Sequence, residues 1–183
     1  MSSTHPLRFV RTPGTTFDNY LLRQVHIDWL LARGVSPEAI IKPTQLCLAR
    51  GNRGADGVFE PDTQGPEWLL FAEQSDAVLW RPRTGEIATE WGVAFALGAE
   101  EIVNPGVTAF GGWLHIHASP LDWLRADRRG IVVLRWEWAF EQLRHVERIA
   151  VAESILGTYR KHMRPRLPEI AVLPSQSNWR AAA

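Results

Sequence analysis

Cysteine is all but absent from this chain of 183 residues: Cys47 stands alone, so no intramolecular disulfide can form. A lone thiol excludes the disulfide-stapled secreted scaffolds and fits a reducing compartment. No apolar run approaches the ~20 residues of a membrane-spanning helix. Met1–Pro13 also lacks the apolar stretch of a secretory signal. The expectation is a cytoplasmic protein with no membrane partner. Catalytic signatures are missing too. There is no phosphate-cradling Gly-Lys-Ser/Thr loop, no Ser-centred nucleophile elbow and no paired-His zinc-protease helix. Gly111-Gly112 precedes a predicted strand rather than a helix, so it cannot hold a dinucleotide pyrophosphate.

What remains is ordinary globular composition, with 45% hydrophobic residues. A chain of this length buries about 70% of its unfolded surface and needs no metal or disulfide to fold. Nine Trp spread along it, from Trp29 to Trp179. Most should serve the core, and two or three exposed ones would mark a contact surface. Only Lys42 and Lys161 are Lys, against eighteen Arg, a bias that a GC-rich genome also produces.

The net charge of zero is unevenly laid out. Residues 1–60 sum to +2, residues 61–120 to −6 and residues 121–183 to +4. Such segregation can steer a partner. The basic end offers a candidate nucleic-acid face at Arg160, Lys161, Arg164 and Arg166. The same cations also suit a helix C-terminus, whose carbonyls carry partial negative charge. Weak, salt-sensitive and non-specific binding is the expectation.

Spacing predicts an α+β domain over residues 16–173, between a flexible arm (1–15) and a disordered tail (174–183). A helix is expected over Thr16–Arg33, from Phe17, Tyr20, Leu21, Val25 and Leu30, and Gly34 stops it. Ser36-Pro37 opens a short second helix that Pro43 ends. Residues 50–66 read as loop or hairpin edge. Short strands at 58–60, 68–72, 77–81 and 86–89, divided by turn residues, predict an antiparallel meander. Residues 90–104 read as helix or turn. The rest reads β-α-β-α-α-β: strands at 113–117, 131–136 and 169–173, with helices at 119–127, 137–146 and 149–162. Residues 118–130 are long enough for a crossover between parallel strands, so a mixed sheet packed by helices is expected.

Three groups of residues are chemical candidates. His115 and His117 lie two apart on a strand and face the same way, the weak candidates for a metal site. No third ligand has suitable spacing, so neither metal nor cofactor is expected. Cys47, flanked by Leu46 and Leu48, reads as a small buried hydrophobe rather than a nucleophile. Ligands gather at the carboxyl ends of parallel strands, which makes His117, Ser119, Arg135, Glu137 and Trp138 a candidate pocket.

Arg33-Gly34-Val35-Ser36-Pro37-Glu38-Ala39-Ile40 resembles the opening of the catalytic core of bacterial primases. That family places a metal-binding Glu after one core strand and an Asp-x-Asp pair after a later one. The matching ends here read His117-Ala118-Ser119 and Arg135-Trp136-Glu137, so the resemblance implies a catalytically inactive nucleic-acid module. Trp80–Ala88, Phe95-Ala96-Leu97-Gly98 and Ser119–Ala126 are similar to small uncharacterised proteins of alphaproteobacterial prophages and mobile elements. That likeness implies a genomic setting and no activity. The leading expectation is therefore a non-enzymatic cytoplasmic accessory or binding protein, whose partner is another protein or a second copy of the chain. The competing expectations are the inactive primase-like module and a small enzyme using the pocket around His117, Arg135 and Glu137.

Overall fold

From Leu46 to Ala49 every residue is buried, yet alternate side chains along an extended strand point to opposite faces. The segment must therefore be covered on both sides, and the fold is arranged to do so. The structure, a computed structural model, describes residues 9–10, 15–73, 76–108 and 111–165. Its first half contains strands β1 (Phe9–Val10), β2 (Asn19–Leu21), β3 (Cys47–Arg53), β4 (Phe59–Pro61), β5 (Glu67–Ala72), β6 (Ala77–Arg81) and β7 (Glu86–Thr89). Helices α1 (Gln24–Leu31) and α2 (Pro37–Ile41) lie between β2 and β3. The strands run antiparallel in the order β1-β2-β3-β5-β6-β7, and β4 pairs with the far end of β3. The expected meander is present, and residues 50–66 form the β3–β4 hairpin and the link to β5.

One sheet face buries Leu48, Leu69, Phe71, Val78 and Trp80 beneath Leu30 of α1 and Ile40 of α2. The other face collects Cys47, Ala49, Trp68, Leu70, Ala77, Leu79 and Ala88 with Phe59. Among the described residues no helix contributes to this second face; the sheet curls over it instead. Thr89 N–H donates to the Gly57 carbonyl at 3.2 Å, and Val58 bridges Thr89 in parallel, bringing the β3–β4 hairpin against β7. The small side chains of Cys47, Ala49, Ala77 and Ala88 leave room inside for the Trp68 and Phe59 rings, whose centroids are 6.0 Å apart. Trp68 donates its indole N–H to the Gly51 carbonyl at 2.8 Å, which meets the hydrogen-bonding requirement of a buried Trp.

The second half contains β8 (Ala96–Leu97), α3 (Pro105–Thr108), β9 (Leu114–Ile116), α4 (Pro120–Arg125), β10 (Val132–Val133), α5 (Ala139–Leu143), β11 (Ile149–Val151) and α6 (Leu156–His162). It surrounds a third core built on Phe95, Leu114, Ile116, Ile131, Val133 and Leu143. Two short sheets serve it: β8 with β10, antiparallel, and β9 with β11, parallel. The whole is an α+β fold in which antiparallel pairing dominates.

Both capping predictions hold. Ser36 Oγ accepts from Ala39 N–H at 3.0 Å ahead of Pro37, and Ser119 Oγ accepts from Asp122 N–H at 3.2 Å ahead of Pro120. Three expectations are corrected. The helix expected from Thr16 begins only at Gln24, because Asn19–Leu21 pairs with both β1 and β3. Residues 149–151, expected helical, form β11; Ile149 and Val151 are β-branched and pair with Leu114 and Ile116. From β9 onward the order therefore reads β-α-β-α-β-α. The strand expected at 131–136 is limited to Val132–Val133, although its start is a parallel neighbour of residue 116 as expected, through the bridge Ile116–Ile131. The strand expected at 169–173 lies outside the described residues.

Trp68, Trp80 and Trp123 are buried, whereas Trp91, Trp113 and Trp138 are exposed, the division expected from composition. Among the described residues, no helix is long and apolar enough to cross a membrane.

Gly51 is the tightest point of the hairpin. A Cβ there would run into the Glu60 carbonyl oxygen and lie 2.5 Å from the Phe59 ring. Gly51→Ala should destabilise the protein by about 1–3 kcal/mol, the usual range for overpacking. Urea unfolding followed by Trp fluorescence checks it, and an unchanged midpoint would show that the hairpin yields freely.

Candidate functional site

The expected strand-end pocket divides in two. Arg135, Glu137 and Trp138 come together. The Arg135 and Glu137 charges are 3.7 Å apart, and the Arg135 guanidinium lies 4.8 Å from the Trp138 ring centroid. Arg135 and Glu137 border a cleft of about 300 Å³ together with Arg53 and Asp56. His117 and Ser119 are committed elsewhere. His117 Nε2 is 2.8 Å from the Arg129 carbonyl oxygen, and Ser119 caps α4 while donating to Asp122 Oδ2 at 2.7 Å. The reason lies in the strands: β9 and the start of β10 share one bridge, so their ends do not form a common crevice.

His115 and His117 do face the same way, with ring centroids 6.2 Å apart and Leu114 and Ile116 buried on the opposite side. Among the described residues, no group of three His, Cys, Asp or Glu side chains is placed to hold a metal ion. Arg160 and Lys161 are exposed in the last turn of α6, and Arg164 is exposed just beyond it. Arg166 lies outside the described residues. Cys47 is buried against the closed side of the sheet.

A different constellation is more concentrated. Arg23, just before α1, and His26 on its first turn face Arg50 of β3 across Glu67, the first residue of β5. Arg23 Nη2 donates to Glu67 Oε2, and His26 Nε2 lies 3.3 Å from the same oxygen. Arg50 Nη2 donates to Oε1 at 2.8 Å and Nη1 to the Thr63 carbonyl at 3.3 Å. These groups line a cleft of about 580 Å³, whose wall includes Trp29 and whose rim carries Arg81 from the end of β6 and Arg83 from the β6–β7 turn. Arg81 also pairs with Glu86 at 3.2 Å.

Burial pushes the Glu67 carboxyl up, but the Arg50 hydrogen bond and the charges of Arg23, His26 and Arg50 outweigh it, so it stays below the usual range. Burial, helped by the Arg23 charge, holds His26 below its ordinary value despite Glu67. Donors outnumber acceptors in the cluster. Arg23 Nε and Arg50 Nε are closed off from solvent and have no hydrogen-bond partner. Comparison with protein-family models, curated proteins and solved structures finds no match.

Sequence reasoning passed over this site because its members come from four separate segments. One signal was present. Arg81 and Arg83 are the only cations in the acidic stretch 61–120, and both line the cleft.

A second titratable cluster joins the two halves of the molecule. Glu73 accepts from Gly98 N–H at 3.2 Å and shares its surroundings with Glu100 and Arg128. Burial, reinforced by the Glu100 charge and hydrogen bond, pushes the Glu73 carboxyl up to about 8. Burial also lowers the Arg128 guanidinium to about 10, opposed by Glu73 and Glu100. Arg128 Nε donates to the Ala39 carbonyl at 2.6 Å, from a backbone held at φ 60°. A carboxyl raised by folding favours the folded state most below its unfolded value of 4.5, and that advantage is lost as pH rises through about 8. Glu73→Gln should therefore flatten the pH dependence of Tm over that window and melt above wild type at the alkaline end. Thermal unfolding across the window checks it; parallel profiles for the two proteins would refute the assignment.

Proposed function

We propose that this chain is a non-enzymatic binding protein whose recognition site is the arginine-walled cleft beside α1, and that the group it takes is anionic. One observation carries the reading: Arg23, Arg50, Arg81 and Arg83, with His26, border a single cleft that contains one carboxylate, Glu67. Guanidinium groups are permanently charged, weakly hydrated and shaped to grip oxyanions through two parallel N–H bonds. Like charges gathered in a recess focus the field and raise the local concentration of anions. Glu67 is held ionised, which suits it to orient cations rather than to donate protons. The buried thiol of Cys47 supports a cytoplasmic setting. The resemblance of Trp80–Ala88 and Ser119–Ala126 to prophage and mobile-element proteins supports that origin.

A second reading, nucleic-acid association through the α6 face, is favoured by the exposure of Arg160, Lys161 and Arg164, none of which has an ion pair among the described residues. Cations in the last turn also complement the helix terminus, so their placement has a structural cause of its own.

The two readings separate experimentally. Sulfate, citrate and pyrophosphate should each give a saturable change in Trp fluorescence at low ionic strength, with Trp29 in the cleft wall as reporter. Arg50→Ala combined with Arg81→Ala should weaken binding by at least about tenfold, the scale of a lost charged hydrogen bond. No saturable response to any of the three anions would overturn the proposal. Oligonucleotide binding should be weak and fall steeply between about 50 and 200 mM salt. Binding that survives the higher salt and disappears on replacing Arg160, Lys161 and Arg164 would instead put the functional face on α6.

A further inference from the structure

We infer that the Glu67 carboxylate is an internal stand-in for the ligand, and that a phosphoryl group takes its place between Arg23, His26 and Arg50. The inference rests on the reading of the cleft as an anion site and adds both the ligand's chemistry and its control. Three residues from two segments already converge on Glu67: Arg23 and His26 on Oε2, and Arg50 on Oε1. A carboxylate has two oxygens, and they leave Arg23 Nε and Arg50 Nε without acceptors. A phosphoryl group brings three terminal oxygens and a charge of about −1.5 to −2 near neutral pH. It matches the surplus of donors and the additional charge of Arg81 and Arg83 at the rim better than a second carboxylate does.

The unpartnered nitrogens are sealed from solvent. A ligand gripped by both Arg23 and Arg50 would take the position Glu67 now occupies. Glu67 is placed to yield it. Its backbone is held in register opposite Arg50 at the start of β5, while its side chain remains one-fifth exposed. Rotation into solvent therefore leaves the strand ladder intact. The apparent affinity for an outside anion is then reduced by the fraction of molecules in which Glu67 occupies the site.

The test uses the full chain, inorganic phosphate as probe, and calorimetric titration and thermal unfolding against sodium chloride at matched ionic strength. Acetate serves as the carboxylate control, and glycerol phosphate distinguishes an ester source from the free ion. Glu67→Gln should bind phosphate about tenfold or more tighter than wild type. It should also melt lower without phosphate and recover on its addition, while acetate has little effect. Glu67→Asp, which keeps the charge but shortens the reach, should bind with intermediate affinity and guards against a misfolded Gln variant. If wild type binds phosphate, Arg50→Ala abolishes it, and neither Glu67 variant binds more tightly, the cleft reading stands and the stand-in role is wrong. If no folded variant binds phosphate or pyrophosphate while sulfate or citrate still binds wild type, the phosphoryl assignment is wrong. If none of these anions binds, both readings fall. Tighter binding of glycerol phosphate than of free phosphate would identify a phosphate monoester as the ligand.

Discussion

Leu48 and Ala49 are adjacent on β3, are both buried, and belong to different cores. The rest of the architecture depends on that two-sided burial. A strand with one apolar face can leave the other to water, but β3, β5 and β6 cannot. Leu48, Leu69 and Val78 require helices, and α1, α2 and α4 provide them. Ala49, Leu70 and Leu79 require a second cover, which comes from the sheet's own curvature as the β3–β4 hairpin reaches β7. Bulk on the inward face is limited to a few rings and leucines among alanines, and the close approach at Gly51 lets the hairpin seat against Phe59.

The arginine cleft is a by-product of this packing. α1 lies across the outer face of the sheet, and its entry residue Arg23 and first-turn His26 fall beside the polar margin where β3 and β5 end their apolar runs. Arg50 and Glu67 are register partners at that margin, so their pairing is set by the strand ladder. The end of β6 and the turn after it then deliver Arg81 and Arg83 to the same rim. No single segment is basic enough to attract attention, but four segments together concentrate positive charge around one acid.

The two halves of the molecule are tied by polar contacts as well as by apolar packing. Ser36 donates to Asp127 at 2.6 Å, Arg125 to the Arg33 carbonyl at 2.7 Å and Arg128 to the Ala39 carbonyl at 2.6 Å. All three join α2 and the turn before it to the last residue of α4 and the turn that follows. Arg128 pays for its position with partial desolvation and one guanidinium nitrogen lacking a partner. Trp123, whose indole N–H donates to the Gly130 carbonyl at 2.8 Å, holds that turn from beneath.

Local chemistry was legible in the sequence wherever it acts within a few residues. Ser36-Pro37 and Ser119-Pro120 cap helices, turn residues divide the meander, and the alternation at 114–117 puts Leu114 and Ile116 inward. Thr16–Leu22 and Ile149–Val151 were misread because apolar spacing suits a helix as well as a strand, and only the distant partners β3 and β9 decide between them. The candidate pocket around His117 and Arg135 assumed that two strands run side by side, whereas they touch at one bridge. By itself the sequence determined the α+β class, the antiparallel meander, the capped helices and the burial of Cys47, because propensity, capping and hydrophobic period are local properties. Tertiary structure alone decided the closure of the sheet and the meeting of Arg23, His26, Arg50 and Glu67, because both depend on register between segments that no local rule relates.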